Sequence, residues 1–514
     1  MHGQVGGTGR EGAAYYSPAM VAARPPRRRR RRPPEQAVDA HLVRTAALVL
    51  IPAIVIALLA ISTPGVLPRP LAAPAFDAAS AASLAAELSS AYPLRVPGTP
   101  EAALAAAWYR QTMAALGLPT EERVWRERLP GLGTIELRNV ITVVRGRSPQ
   151  AIVVVAHRDN GLQGEGDNAS GTATLLELAR AYGGLGQARP TVPQRTLILV
   201  STDGGAWGGV GAARYAEEVA REHEVVAAVV LSGLAQPGRP QLVLGAGATA
   251  APARTLVRTA VARIVEHAGI TPELPSALEQ LVGLGIPFAL GEQAAFLARG
   301  MAALAITGGS GAGPSPGETQ PRGEALSALG RATEALVGSL DASPQRSFST
   351  SDALFIGDRV VSGWALRMLL VVSVAPFALG IVDLVARARR RRLPFRPALR
   401  ALARRVAFWG YVGGILWLGA LLGALPSAAA LPLPPAVAGE LSWSPIGVTL
   451  LLGAIAVGWV ITRSRLVSAR RASPEEELAG EAVALAWLGA VALGAALIRP
   501  YALRFLLPSL YAWL

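Results

Sequence analysis

The stretch Ala151–Tyr182, AIVVVAHRDNGLQGEGDNASGTATLLELARAY, decides the fold. Its first six residues, Ala151–Ala156, form an almost unbroken apolar, β-branched run, the pattern of a strand covered on both faces. From Gly171 to Tyr182 apolar residues recur at helical spacing. Between them lie His157-Arg158-Asp159 and Gly166-Asp167-Asn168-Ala169-Ser170-Gly171, so the chemistry-bearing side chains fall where a strand ends and a helix begins. Outward from this unit the pattern repeats. Asn139–Val144, Leu197–Ser201, Val225–Leu231, Leu242–Leu244 and Ala302–Thr307 read as strands, and Ala212–Val219 and Ala253–His267 as helices. Pro252 suits the start of the last helix, where its missing N–H costs nothing. Such alternation predicts an α/β three-layer sandwich with a mostly parallel central sheet. Ligands bind such folds beyond the carboxyl ends of the strands.

Over 514 residues, 51% are hydrophobic and 16% charged, there is no cysteine, and the mean hydropathy is +0.37. A disordered chain and a disulfide-stapled scaffold are both excluded. The net charge of +14 is carried entirely by arginine, and 20 of the 49 arginines lie in Arg24–Arg32, Arg387–Arg405 and Arg463–Arg471. Outside these clusters 29 basic residues face 35 acidic ones, so no basic stripe remains and nucleic acid is not an expected partner. Each cluster abuts a long apolar run, where positive charge sets membrane orientation.

The apolar runs divide the chain. Residues 1–41 read as a disordered basic cytoplasmic tail and 42–64 as a transmembrane anchor, its Thr45–Thr63 stretch being free of charge. Residues 66–360 form an extracytoplasmic domain, with a Pro-rich entry and a Ser-rich exit around Ser347–Ser351 as linkers. Residues 366–514 form a C-terminal all-α membrane domain of four or five helices. Its spans are Met368–Ala386, Val406–Leu425, Ile446–Thr462, Ala482–Ile498 and the shorter Tyr501–Leu514. Loops 387–405 and 463–480, with nine and four arginines, then fall on the cytoplasmic side and the uncharged 426–445 outside. The lipid bilayer is thus the expected partner and a multi-pass cell-membrane protein the expected form. Asp383, one turn from Arg387, reads as an ion-paired helix end, and nothing in the spans resembles a transport pathway.

His157-x-Asp159, Asp167-Asn168-Ala169-Ser170-Gly171 and Asp203-Gly204-Gly205-Ala206-Trp207-Gly208 resemble the strings H-x-D, D-N-x-S-G and D-G-E-E-x-G of the M28 family of zinc aminopeptidases. Arg95-Val96-Pro97-Gly98-Thr99, Leu116-Gly117 and Phe296–Gly300 extend the resemblance over about 75–340. It implies a site in which two zinc ions share a bridging carboxylate and a neighbouring Glu acts as general base. Carried across, His157 matches the first ligand, Asp159 the carboxylate that orients it, and Asp167 the bridging ligand. The general base falls at Gly205, and two further ligands at Ala206 and Ser232. The final His is expected just after Ala302–Thr307, yet 308–319 contain none. His2 and His41 lie on the wrong side of the membrane, and His223 and His267 sit in helical surroundings. Glu165, Asp203 and Glu292 are conceivable oxygen donors, but a catalytic zinc needs about three protein ligands and an open position.

Each residue also has a plain structural reading. Asp167 or Asn168 before a helix suits an N-cap. Asp159 beside Arg158 suits a solvated pair, and Gly204, Gly205, Gly208 and Gly209 suit a closely approaching turn. The resulting expectation is a membrane-anchored pseudopeptidase without a cofactor, whose ectodomain cleft binds a peptide, protein or envelope component. The transferrin receptor ectodomain, which resembles the same family, acts as such a scaffold. The alternatives are a zinc-dependent aminopeptidase or amide transferase with a reduced metal site, and an accessory to a transporter.

Overall fold

A computed structural model describes residues 40–70, 72–129, 131–183, 192–245, 251–285, 291–309, 322–344, 348, 350, 352–422, 424–425, 445–466 and 473–512. The expected tail at 1–39, the loop 426–444 and most of 308–319 lie outside them. The strands are β1 (Ile61–Ser62), β2 (Thr120–Leu129), β3 (Gly133–Val144), β4 (Ser148–His157), β5 (Arg195–Thr202), β6 (Val225–Ser232), β7 (Gln241–Val243), β8 (Ala303–Thr307), β9 (Ala353–Ile356) and β10 (Arg359–Ser362). Helices α1 (Ala40–Ala47) and α2 (Leu50–Leu59) precede α3 (Ala78–Ala91), α4 (Pro100–Ala115), α5 (Ala169–Tyr182), α6 (Val210–Glu222) and α7 (Arg254–Ala268). After them come α8 (Ala277–Gly285), α9 (Glu292–Leu297), α10 (Arg322–Asp341), α11 (Gly363–Val372), α12 (Ala375–Arg390) and α13 (Phe395–Leu421).

The apolar run of β4 is buried because both of its faces are covered. Successive side chains point to opposite sides of a strand. Ile152, Val154 and Ala156 therefore meet α5 residues Leu175 and Leu176 and the layer built from α3, α4, α5, α7 and α10. Val153 and Val155 meet Tyr215 and Val219 of α6 and Phe296 of α9. These are the three layers. The seven-stranded sheet runs β2-β3-β5-β4-β6-β8-β7.

Only the middle of that sheet is parallel. β5, β4, β6 and β8 run together, with His157 opposite Thr202 and Ser232 opposite Thr307. β2, β3 and β7 pair antiparallel. The sheet is mixed, with a parallel centre, because β2 and β3, and again β3 and β4, are joined by connections too short for a crossover. β2 is an edge strand with six charged residues in ten, in the runs Glu121–Arg123 and Arg126–Arg128, a composition that gives no strand pattern. At the start of α4, Thr99 caps Ala102 N–H at 3.3 Å and Pro100 occupies the first turn.

A second sheet joins the two ends of this domain. β1 pairs antiparallel with β10, and β10 with β9, in the order β1-β10-β9. The expected anchor Thr45–Thr63 is accordingly helical only to Leu59, since Ile61 and Ser62 are drawn into pairing with Val361 and Val360. β10 runs directly into α11.

Among the described residues three helices are long and apolar enough to cross a membrane: Gly363–Arg390, Pro445–Ser464 and Pro474–Ile498. Arg44–Leu59 is a shorter apolar helix. α13 carries arginines through its first half, so its apolar part reaches only from Val406 to Leu421. The third long helix opens with a capping box, Ser473 and Glu476 each bonding the other's backbone N–H, and has three glutamates in its first turn, where the helix dipole favours them. Asp383 pairs with Arg387 at 2.8 Å, and Trp409 and Trp417 are exposed.

Candidate functional site

The parallel register brings the carboxyl ends of β4, β5, β6 and β8 together, and with them His157, Thr202, Ser232 and Thr307. His157 shares the face of Val153 and Val155 and so projects toward α6 and α9, where it is buried. Its Nδ1 lies 3.1 Å from the Asp159 backbone oxygen and 3.6 Å from Asp159 Oδ1. Glu292, in the first turn of α9, is also buried and accepts the Thr202 hydroxyl at 2.7 Å. Burial alone would lower the His157 pKa, but Asp159 and then Glu292 push it up to about 9. Burial raises Glu292, with His157 and the Thr202 bond opposing.

Asp159 does not make a solvated pair with Arg158, because both are buried. Its two carboxylate oxygens accept the backbone N–H groups of Gly205 at 2.8 Å and Ala206 at 3.0 Å, fixing the turn after β5. Arg158 turns away, donating to Ser201 O at 2.8 Å and to Arg138 O. It lies 3.6 Å from Asp203, itself bound by the N–H groups of Arg138 and Gly204. Burial pushes Asp203 up to about 6 against the opposing charge of Arg158.

Asp167 is similarly occupied. Its Oδ1 accepts Ala169 N–H at 2.9 Å from a position before the N-cap Asn168, whose own side chain makes no cap bond, and is ion-paired with Arg95, while its Oδ2 accepts the Ser89 hydroxyl at 3.0 Å. The Arg95 guanidinium is wholly buried and also donates Nε to Arg158 O at 2.6 Å. Arg95 and Asp167 are 72 residues apart, so no local pattern in the sequence pairs them. Asn168 ties the start of α5 to the end of β6, donating to Leu231 O and accepting Gly233 N–H, both at 2.8 Å.

At position 205, where the resemblance places a general base, there is no room for any side chain. A Cβ there would lie 2.1 Å from His157 Cβ and 2.3 Å from Cγ, so the histidine itself fills the space. Ala206 and Ser232 offer no carboxylate. Glu165 folds over Gly161 and bonds Gln163 N–H, His223 ends α6, and His267 lies in the last turn of α7. Among the described residues no three His, Cys, Asp or Glu side chains group so as to hold a metal ion. Among the described residues Asp159 and Glu292 are the charged neighbours of the imidazole, and both oxygens of Asp159 are already engaged. The donor set does not fit a pair of zinc ions. What the arrangement does support is a buried polar network at the sheet's carboxyl edge, in which Asp159 and Asp167 hold backbone and neighbouring side chains.

Residues 139–278 match the model of peptidase family M28. A probable glutamate carboxypeptidase of Arthroderma benhamiae is 35% identical over 82 residues, covering 16% of this chain and 11% of that protein. Human transferrin receptor protein 2 is 37% identical over 83 residues, covering 16% and 10%. The chain thus spans about a tenth of the length of these relatives. The solved structure of a zinc aminopeptidase from Bacillus subtilis superposes over 51% of this chain and 94% of its own, with a TM-score of 0.40 and 12% identity.

Proposed function

We propose that this protein is a membrane-anchored pseudopeptidase, in which a domain of the M28 type has become a binding module for a peptide, protein or envelope partner at the carboxyl edge of its sheet. One observation carries the reading: the general-base position is a glycine whose missing side chain is replaced in space by His157. The two carboxylates beside His157 are both engaged, Asp159 by the backbone N–H groups of Gly205 and Ala206 and Glu292 by the Thr202 hydroxyl. Asp159 and Asp167 use their oxygens on backbone N–H groups, Ser89 and Arg95. The site therefore keeps the family's shape while its charges hold loops in place. That one relative is named a receptor, and not a peptidase, favours the same reading.

The arginine clusters favour an orientation with the N-terminus and the 387–405 segment in the cytoplasm and the peptidase-like domain, residues 66–360, outside. The helix Arg44–Leu59 serves as its anchor, and α13 joins the three longer apolar helices in a C-terminal membrane domain, 366–514.

The test is metal analysis of the purified full chain together with hydrolysis of aminoacyl reporters. The expected outcome is substoichiometric zinc and no turnover. Stoichiometric zinc, with hydrolysis abolished in His157→Ala, would establish the alternative, a metallopeptidase or amide transferase with a reduced site.

A further inference from the structure

A cavity of about 550 Å³ opens between the segment that follows β1 and helix α7, away from the His157 site. Its walls are apolar, from Val66, Leu67, Val261 and Val265. Leu67 is pinned to α7 through both backbone groups, donating to Thr259 Oγ1 at 3.0 Å and accepting from Arg263 Nη2 at 2.9 Å. The groove is therefore a built feature of the fold. Its charged lining is Arg69, Arg258, Arg263 and a single acid, Glu266.

Glu266 is already shared, with Arg69 Nε at 3.0 Å and Arg263 Nη1 at 2.6 Å. Arg258 has no acidic partner among the described residues, and its Nε is buried without a hydrogen bond. Arg254, one turn earlier on the same helix face, is in the same condition. Three arginines to one carboxylate leave the groove positive, although in residues 66–360 as a whole 24 arginines are outnumbered by 26 acids. Local placement, and not overall composition, makes it cationic.

The groove also lies close to the start of an apolar helix long enough to cross a membrane. Ser62 pairs with Val360, and the chain from Arg359–Ser362 enters the apolar helix Gly363–Arg390 without a break. Val66 is four residues beyond Ser62, a reach of at most ~14 Å. A guanidinium is suited to a phosphate, which it grips with two parallel hydrogen bonds.

We propose that this groove binds an anionic phospholipid of the adjoining leaflet, with the headgroup phosphate on Arg258, Arg69 at the rim, and the first part of an acyl chain along Val66, Val261 and Val265. The site is independent of the partner-binding reading above.

The full chain is reconstituted with a mixture of phosphatidylcholine and phosphatidylglycerol, and the lipid it retains is counted by native mass spectrometry. The expected result is about tenfold preference for phosphatidylglycerol, lost in Arg258→Gln and partly kept in Arg258→Lys. Val265→Ser should weaken retention of the lipid while sparing binding of soluble glycerol 1-phosphate. Equal retention of the two lipids by the unmodified chain would overturn the proposal irrespective of how any variant folds. So would an undiminished preference in Arg258→Gln. If glycerol 1-phosphate displaces the lipid as well as a short-chain phosphatidylglycerol does, the groove is an anion site alone and the lipid assignment fails.

Discussion

Gly205 approaches His157 so closely that even a methyl group at 205 would overlap Cβ and Cγ of the histidine. Gly205→Ala should therefore destabilise the domain by about 1–3 kcal/mol, the cost of overpacking a filled site, measured as a lowered unfolding midpoint. Because the nearest atom is His157 Cβ, His157→Ala should not rescue Gly205→Ala, whereas His157→Gly should recover part of the loss, a coupling that a double-mutant cycle resolves. Gly205→Glu should for the same reason yield a still less stable protein. The imidazole makes a second prediction. Its folded pKa of about 9 lies above the ordinary 6.5, so folding favours the charged form. That contribution is complete below pH ~6.5 and fades as pH rises through ~9, on the order of 3 kcal/mol in all. Unfolding midpoints taken from pH 6.5 to 9.5 should fall more steeply in the native protein than in His157→Gln. At this scale the sequence exposed which side chains were missing, since Gly205, Ala206 and Ser232 can be read as letters. It did not disclose that Asp159 and Asp167 were occupied, because their partners lie 46 and 72 residues away.

At the level of elements, the small sheet β1-β10-β9 turns two chain ends into one stem. Gln280 of α8 buttresses it, donating to Phe355 O at 2.9 Å and accepting Phe355 N–H at 2.8 Å, both buried. Tyr501 adds a bond to Asp352 at 3.1 Å, and Arg504 donates to Val282 O, so α8 is held from the C-terminal side as well. Gln280→Ala should leave two backbone groups of Phe355 without partners and cost about 1–3 kcal/mol. The loss should be local, visible as faster hydrogen exchange at 353–362 with the central sheet still protected. β4, β5 and β6 were legible in the sequence because burial on both faces leaves a continuous apolar run. β2 was not, because as an edge strand it is interrupted by two charged triplets, Glu121–Arg123 and Arg126–Arg128, and has no such run. The stem escaped notice for a related reason: four-residue strands carry too little periodicity to read, and their pairing joins Ile61 to Val361.

Over the whole molecule, the three long apolar helices and the flanking arginine clusters make a definite topological prediction. The chain has no cysteine, so single cysteines report without background. Arg221→Cys, on exposed α6, should react with a membrane-impermeant thiol reagent from outside intact cells, and Arg400→Cys only after permeabilisation. The reverse pattern would invert the orientation. The sequence by itself determined the layered α/β domain, the apolar lengths of the helices and the absence of carboxylates at 205 and 206. Each of these follows from local composition, because the burial of a strand or helix leaves its period in adjacent residues. Only the tertiary structure decided that His157 fills the space beside Gly205, that Arg95 and backbone amides bond Asp159 and Asp167, and that Arg258 faces an apolar groove unpaired among the described residues. Those outcomes depend on contacts and desolvation between residues tens to hundreds of positions apart, which no local pattern encodes.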